Sequence, residues 1–358
     1  MTKLTANIST IAGVVLALCS SSAEADQWPQ FRGTRVDGVA RSQCPATWDG
    51  STQVRWKYAT AGEGWSSPVI WGDKLILTEA VPIERADQAT RPEPYSGGGG
   101  RRRDDLTTVT YRWDVICLQA STGKVLWRQT ARSGRPTMPR HSSNTYATET
   151  PITDGQRVYA YFGMMGLYCY DMSGALQWHK DLGSYEMRAG WGTSSSPILF
   201  DGKIYLQIDN EQQSFITALD ARSGDELWRV SRDESSQYSS PIIWRNRLRN
   251  ELVAGGTKYR SYDPQTGELL WQLDMDKGRS SATPLAVGDR LYVGTEFRNR
   301  GGADDGGGYL FAVQPGGSGD ITPPAADSLG PHIAWKLERS GIQMASPVIC
   351  SGHIYLLE

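Results

Sequence analysis

One short phrase recurs down the chain and limits what it can fold into. It reads Leu118-Gln-Ala-Ser-Thr-Gly123-Lys-Val-Leu-Trp127. It returns as Tyr170-Asp-Met-Ser-Gly174-Ala-Leu-Gln-Trp178, then Leu219-Asp-Ala-Arg-Ser-Gly224-Asp-Glu-Leu-Trp228, then Tyr262-Asp-Pro-Gln-Thr-Gly267-Glu-Leu-Leu-Trp271. A fixed internal period is the mark of a repeat architecture. Each copy reads as strand, tight turn, strand. Asp171, Asp220 and Asp263 open their turns, where a short carboxylate accepts bonds from backbone N–H groups just ahead. The glycine suits a left-handed position, and the closing indole has the area to wedge between units.

A second phrase precedes each copy: two small residues, a proline, apolar residues, a turn and another strand. Ser66-Ser-Pro68-Val-Ile-Trp-Gly-Asp-Lys-Leu-Ile-Leu77 is the first, and later ones start at Pro151, Pro197, Pro241, Pro284 and Pro347. Proline lacks a donor and belongs at the start of a strand. Each unit therefore carries four short strands. The closing tryptophans are 51, 50 and 43 residues apart, the period of a propeller blade.

The expected fold is all-β: a β-propeller of four-stranded blades. Complete blades are expected over 65–128, 147–180, 192–230, 238–273 and 280–337, with Trp335 closing the fifth and a partial sixth opening at Met344. Val54-Arg-Trp56-Lys-Tyr reads as a closing strand with no blade before it. Two readings follow: a chain that continues past Glu358 to seven or eight blades, which the unfinished sixth favours, or a gapped sixth blade completed by Trp56. Trp56, Trp127, Trp178, Trp228, Trp271 and Trp335 are the expected blade-docking residues.

Net charge is −2, so no basic excess draws nucleic acid over distance. Nothing after residue 20 is apolar for long enough to span a bilayer. The start reads as an export signal over 1–25: Lys3, the apolar Ile11–Leu18, then Ala23-Glu24-Ala25 as a small-x-small cleavage site. Residues 26–53 form an N-terminal extension and 54–358 the propeller. The expected compartment is periplasmic or extracellular, and the expected state a monomer. Cleavage leaves Cys44, Cys117, Cys169 and Cys350, whose pairing spacing cannot choose. Cys117 and Cys169 fill the same slot of successive blades, where distances diverge with radius, so buried free thiols are expected there.

Insertions interrupt the repeat. About 79–112 form an excursion in blade one, with Arg101, Arg102 and Arg103 beside glycines. The loop around Asp304 and Asp305 lacks the alternating oxygens of a calcium loop. No metal site is expected. Two stretches are candidates for binding. Arg140 and His141 precede blade two, in a segment expected to enter an inner strand, where Ser142 and Ser143 would not aim at the imidazole. Arg188 and Trp191 lead into blade three, and Asp209 and Glu211 lie between its middle strands. Trp191 is off the closing register, so docking does not explain it. Asp209 and Asn210 also read as a hairpin cap. No set of residues reads as catalytic.

Together the phrases resemble the pyrrolo-quinoline quinone (PQQ)-like propeller repeat of the quinoprotein alcohol dehydrogenase-like superfamily, over 54–358. The opening Trp28-Pro-Gln-Phe31-Arg-Gly33 resembles secreted bacterial members. The resemblance implies PQQ and calcium in the dehydrogenases, under a disulfide of adjacent cysteines. This chain has no adjacent cysteines, and no family residue carries over. The expectation is an exported, non-catalytic scaffold binding a protein or saccharide at its channel face. The alternative is a PQQ-dependent oxidoreductase with PQQ and calcium.

Overall fold

A computed structural model describes residues 27–40, 42, 45–85, 109–275, 281–295, 308–324, 328–338, 342 and 344–357. The expected export signal, Cys44, the arginine run and the Asp304–Asp305 loop lie outside the described residues.

The proline phrases become what the missing donor dictates: each first strand begins directly after its proline. Blade one holds β1 (Val69–Trp71), β2 (Lys74–Arg85), β3 (Val109–Gln119) and β4 (Val125–Gly134). Blade two holds β5 (Ile152–Thr153), β6 (Arg157–Tyr161), β7 (Leu167–Asp171) and β8 (Leu176–Lys180). Blade three holds β9 (Ile198–Phe200), β10 (Lys203–Ile208), β11 (Phe215–Asp220) and β12 (Glu226–Ser231). Blade four holds β13 (Ile242–Arg245), β14 (Asn250–Ala254), β15 (Lys258–Tyr262) and β16 (Leu269–Asp274). Blade five holds β17 (Leu285–Val287), β18 (Arg290–Gly294), β19 (Tyr309–Val313) and β21 (Ile333–Glu338), and the short β20 (Gly319–Asp320) pairs in parallel with β16 instead. The partial sixth holds β22 (Val348–Cys350) and β23 (His353–Tyr355).

Successive blades face each other through continuous cores. Val69, Trp113 and Cys117 of blade one pack with Val158 and Tyr170 of blade two. Ile152 and Cys169 of blade two pack with Ile204 and Leu219 of blade three. Tyr205 of blade three meets Leu252 and Tyr262 of blade four, and Trp271 of blade four meets Leu291 and Phe311 of blade five. The two thiols lie in different seams, both free and buried. Burial pushes Cys117 up to about 11 and Cys169 to about 12.

The repeated glycine and tryptophan form one joint. Three closing indoles lie on the turn glycine of the next blade: Trp127 on Gly174, Trp178 on Gly224, Trp228 on Gly267. At Gly224 the backbone has φ +77°, and an added Cβ would stand 2.7 Å from the Trp178 ring. Trp127 and Trp228 also donate to carbonyls of the next turn, Met172 and Pro264, at 3.2 Å. Trp56 seats on Gly123 and donates to Ala120 at 2.9 Å, although Val54–Tyr58 is not a strand. It therefore does a closing indole's work without a closing strand. Trp271 turns inward and donates to buried Glu251 at 2.6 Å, while Gly317 of the blade-five insertion covers it. Trp335, 36% exposed, leans on Tyr292 of its own blade, as Trp178 does on Tyr159 and Trp228 on Tyr205.

A second joint runs around the channel. The residue before each proline donates its N–H to the hydroxyl of its counterpart in the next blade. The links are Ser67 to Thr150 (3.1 Å), Thr150 to Ser196 (3.0 Å), Ser196 to Ser240 (2.9 Å), Ser240 to Thr283 (3.2 Å) and Thr283 to Ser346 (3.0 Å). This curved chain of bonds places all six first strands about one axis.

The extension crosses one end of that axis. Trp28 bridges Ile70 of blade one, Pro29 accepts from Thr153 of blade two, and Gln30 from Leu199 of blade three. Buried Arg32 donates to Val36, Asp37 and, in blade six, Pro347. We call this the turn end and the opposite end, where loops enter the blades, the rim. At the base of the blade-one excursion, β2 and β3 pair out to Arg85 and Val109; residues 86–108 lie outside the described residues. The strands extend into the expected excursion over 79–85 and 109–112, where burial along β3 alternates past the point where the repeat ends.

Candidate functional site

The rim between blades two, three and four is built from the loops 181–196, 209–214 and 232–240. Glu211 N–H donates to Glu186 O at 2.9 Å, and Glu186 N–H to Gln212 Oε1 at 2.8 Å. Arg188 N–H donates to Ser236 Oγ (2.9 Å), and Ser236 N–H to Glu211 Oε1 (3.1 Å). Entry loops and mid-blade loops thus meet on one face. Ala189 and Gly190 take left-handed φ of +52° and +66°, which turns the chain between the exposed Arg188 side chain and Trp191.

Arg140, His141 and Trp191 come together. His141 N–H and Asn144 Nδ2 donate to Trp191 O, at 3.3 and 2.8 Å. The imidazole stands edge-on to the indole at 6.0 Å, and the Tyr238 ring lies tilted against that indole at 6.1 Å. Arg140 is buried; it pairs with Glu63 at 2.7 Å, donates to Asn144 O and lies over Tyr146. The segment is a turn, not the expected inner strand. That geometry lets His141 Nδ1 meet Ser143 Oγ at 2.6 Å. Ser143 N–H also donates to Nδ1 at 3.1 Å, so the imidazole caps its own turn.

Asp209 does not join this group. It is buried in a two-pronged pair with Arg232, at 2.8 and 3.2 Å. Gln207 Nε2 donates to it at 2.7 Å, and Arg232 also donates to Tyr262 Oη and Gly255 O. Burial opposes the charge on Arg232, but the Asp209 carboxylate outweighs it and raises the arginine's pKa. Asn210 alone caps the hairpin, accepting from Gln212 and Gln213 N–H. Of the six candidates, three cluster, Arg188 and Glu211 meet through Ser236, and Asp209 is scaffold.

One residue was missed. Glu149 stands two places before Pro151, where the other blades carry Ser66, Ser195, Ser239, Ala282 and Ala345. That break in a small-residue register was the available signal. It is 2% exposed, and its Oε1 has no hydrogen-bond partner. Burial pushes its pKa up to about 7, partly offset by Thr193. It lies behind Gly163 and Thr193. These line a cavity of about 20 Å³ shared with Tyr161, Met164, Gln207 and Gln237. Gln207 gives both amide hydrogens away, to Asp209 and Gly255, so its own Oε1 faces the cavity without a donor.

The implied PQQ and calcium can be tested against this end of the channel. Such a cavity holds about one water, and a three-ring quinone does not fit. Of the two carboxylates near it among the described residues, Asp209 is held by Arg232 and Glu149 leaves only its Oε1 unpartnered. Among the described residues no three His, Cys, Asp or Glu side chains gather as a metal site. The residues present here do not fit the group.

With this geometry in hand, the chain can be set beside known proteins. It is 24% identical over 266 residues to outer membrane protein assembly factor BamB of Moranella endobia, covering 67% of this chain and 62% of that protein. It is 28% identical over 153 residues to 1-butanol dehydrogenase (cytochrome c) of Thauera butanivorans, covering 38% of this chain and 21% of that protein. The chain thus spans less than two thirds of either relative. The crystal structure of quinohemoprotein alcohol dehydrogenase from Comamonas testosteroni superposes with a TM-score of 0.51 at 12% identity, over 94% of this chain and 71% of that one. That likeness bears on fold alone, and the fold is a β-propeller. A family profile matches residues 84–230 and, overlapping them, 164–322, together more than half the chain. The chain belongs to the PQQ-like repeat family described as outer membrane protein assembly factor BamB.

Proposed function

We propose that the chain is an exported, non-catalytic scaffold that holds a protein partner on its rim. The observation that carries this reading is the pair of fixed groupings on one rim, His141 against Trp191 and the Arg188 backbone with Glu211 through Ser236. Backbone-directed bonds set these groups before any partner arrives, which lowers the ordering cost of association. Trp65, 60% exposed, stands on the same rim, its N–H bonded to Ala147 O at 3.0 Å. Exposed indoles and arginines are the side chains that anchor protein interfaces. The family description supports a protein partner, and no observation favours a saccharide. The dehydrogenase relatives support a PQQ-dependent oxidoreductase as the other reading, but the rim cavity gives it no help.

The test is a photo-crosslinking side chain at position 191 in cells, compared with one at 287 at the turn end. A discrete protein adduct at 191, weakened by Arg188→Glu, is expected. Absence of adducts at 191, or stable quinone uptake with dye reduction by purified protein, PQQ, calcium and an alcohol, would overturn the proposal.

A further inference from the structure

We infer that the turn end holds a second site, for a small molecule with an apolar body and one anionic head group. The channel-facing residues of the first strands are treated unequally there. In blades one and two the extension covers them: Trp28 on Ile70, Pro29 on Thr153. In blades three to six the matching Leu199, Ile243, Ala286 and Ile349 open instead onto a cavity of about 530 Å³, roofed by Val36. That volume is within the range of ordinary ligand pockets, about 300–1,000 Å³.

The charge at its mouth selects the head group. Arg35 is neutralised by Asp37 at 2.7 Å. Arg245 also lines the cavity, and its guanidinium lies over the Phe200 ring at 5.1 Å. Among the described residues no carboxylate pairs with it. The ring holds the guanidinium in place, leaving its donors for a carboxylate-like group, which a planar fork binds through two bonds. The lining is mixed, with Gln30 and Thr34 on the side of the extension, but the strand side is an apolar stretch of Leu199, Ile243, Ala286 and Ile349 beside Arg245, which matches one anionic head on an apolar body. The site is at the opposite end of the axis from the rim and does not depend on the rim reading.

Titration calorimetry with decanoate on the whole protein tests this. Saturable binding of one decanoate per chain is expected, with decanol at least tenfold weaker. Arg245→Glu should weaken decanoate at least tenfold, and Val287→Trp, filling the cavity from an exposed position, should abolish binding. Unchanged unfolding midpoints confirm that both variants fold. Equal affinity for decanol and decanoate, wild-type binding by both variants, or no saturable binding at all would overturn the inference.

Discussion

At the turn end the channel is crossed by a segment that docks mainly through its backbone and one buried arginine. At the rim, by contrast, side chains do the closing: Asp209 with Arg232, Arg140 with Glu63, and Glu149 with no counter-charge. The difference matters for what each end tolerates. A backbone bridge such as Trp28–Ile70 survives many substitutions. A buried ion pair does not, because removing one partner strands the other charge. The rim is therefore rigid and chemically particular, which suits a surface that presents fixed groups to another molecule.

Predictions can break this contrast or sharpen it, beginning with the largest effect. Asp209→Ala should cost about 3–5 kcal/mol in urea unfolding by leaving Arg232 buried and unpaired. A loss no greater than that of Arg32→Met would erase the distinction between the ends. Glu149→Gln should act in the opposite sense. The folded carboxyl holds its proton up to about pH 7, while the unfolded one releases it near 4.5. Its contribution is fully present below pH 4.5 and is lost as pH rises through about 7. By pH 8 this loss amounts to about 3 kcal/mol, which Gln should remove, flattening the pH profile between 4.5 and 8. Next, Arg32→Met should cost about 2 kcal/mol by stranding the carbonyls it serves, including Pro347. Ser196→Ala should cost about 1 kcal/mol, since Thr150 N–H loses its acceptor. Trp335→Ala, at a seat that no turn glycine covers among the described residues, should cost less than the several kcal/mol of a buried tryptophan. Thermal unfolding of the last two variants gives the check.

The joints were legible to the degree that they repeat. Aspartate, glycine and tryptophan recur at fixed spacing, so the turn, the left-handed residue and the wedge could be read without coordinates. The hydroxyl before each proline recurred just as faithfully, yet size alone was read from it and its bonding was missed. Asp209 misled because turn preference is local, whereas Arg232, its partner, is 23 residues away. Arg140 and His141 were expected to enter an inner strand. The chain turns there, and turning is what joins His141 to Ser143. The role of Trp28-Pro-Gln-Phe-Arg-Gly could not be read locally, since it is written in contacts with four distant blades.

That last feature has a bearing on assembly. Arg32 reaches a carbonyl 315 residues further along the chain. Contacts of such sequence separation form late, after the intervening loop has closed. The stretch translated among the first is thus among the last to find its place. Until blade six exists, Trp28 and Arg32 wait without their full set of neighbours. The latch shuts only once the first strand of blade six is in place, and a chain made only part-way to it stays open at that end.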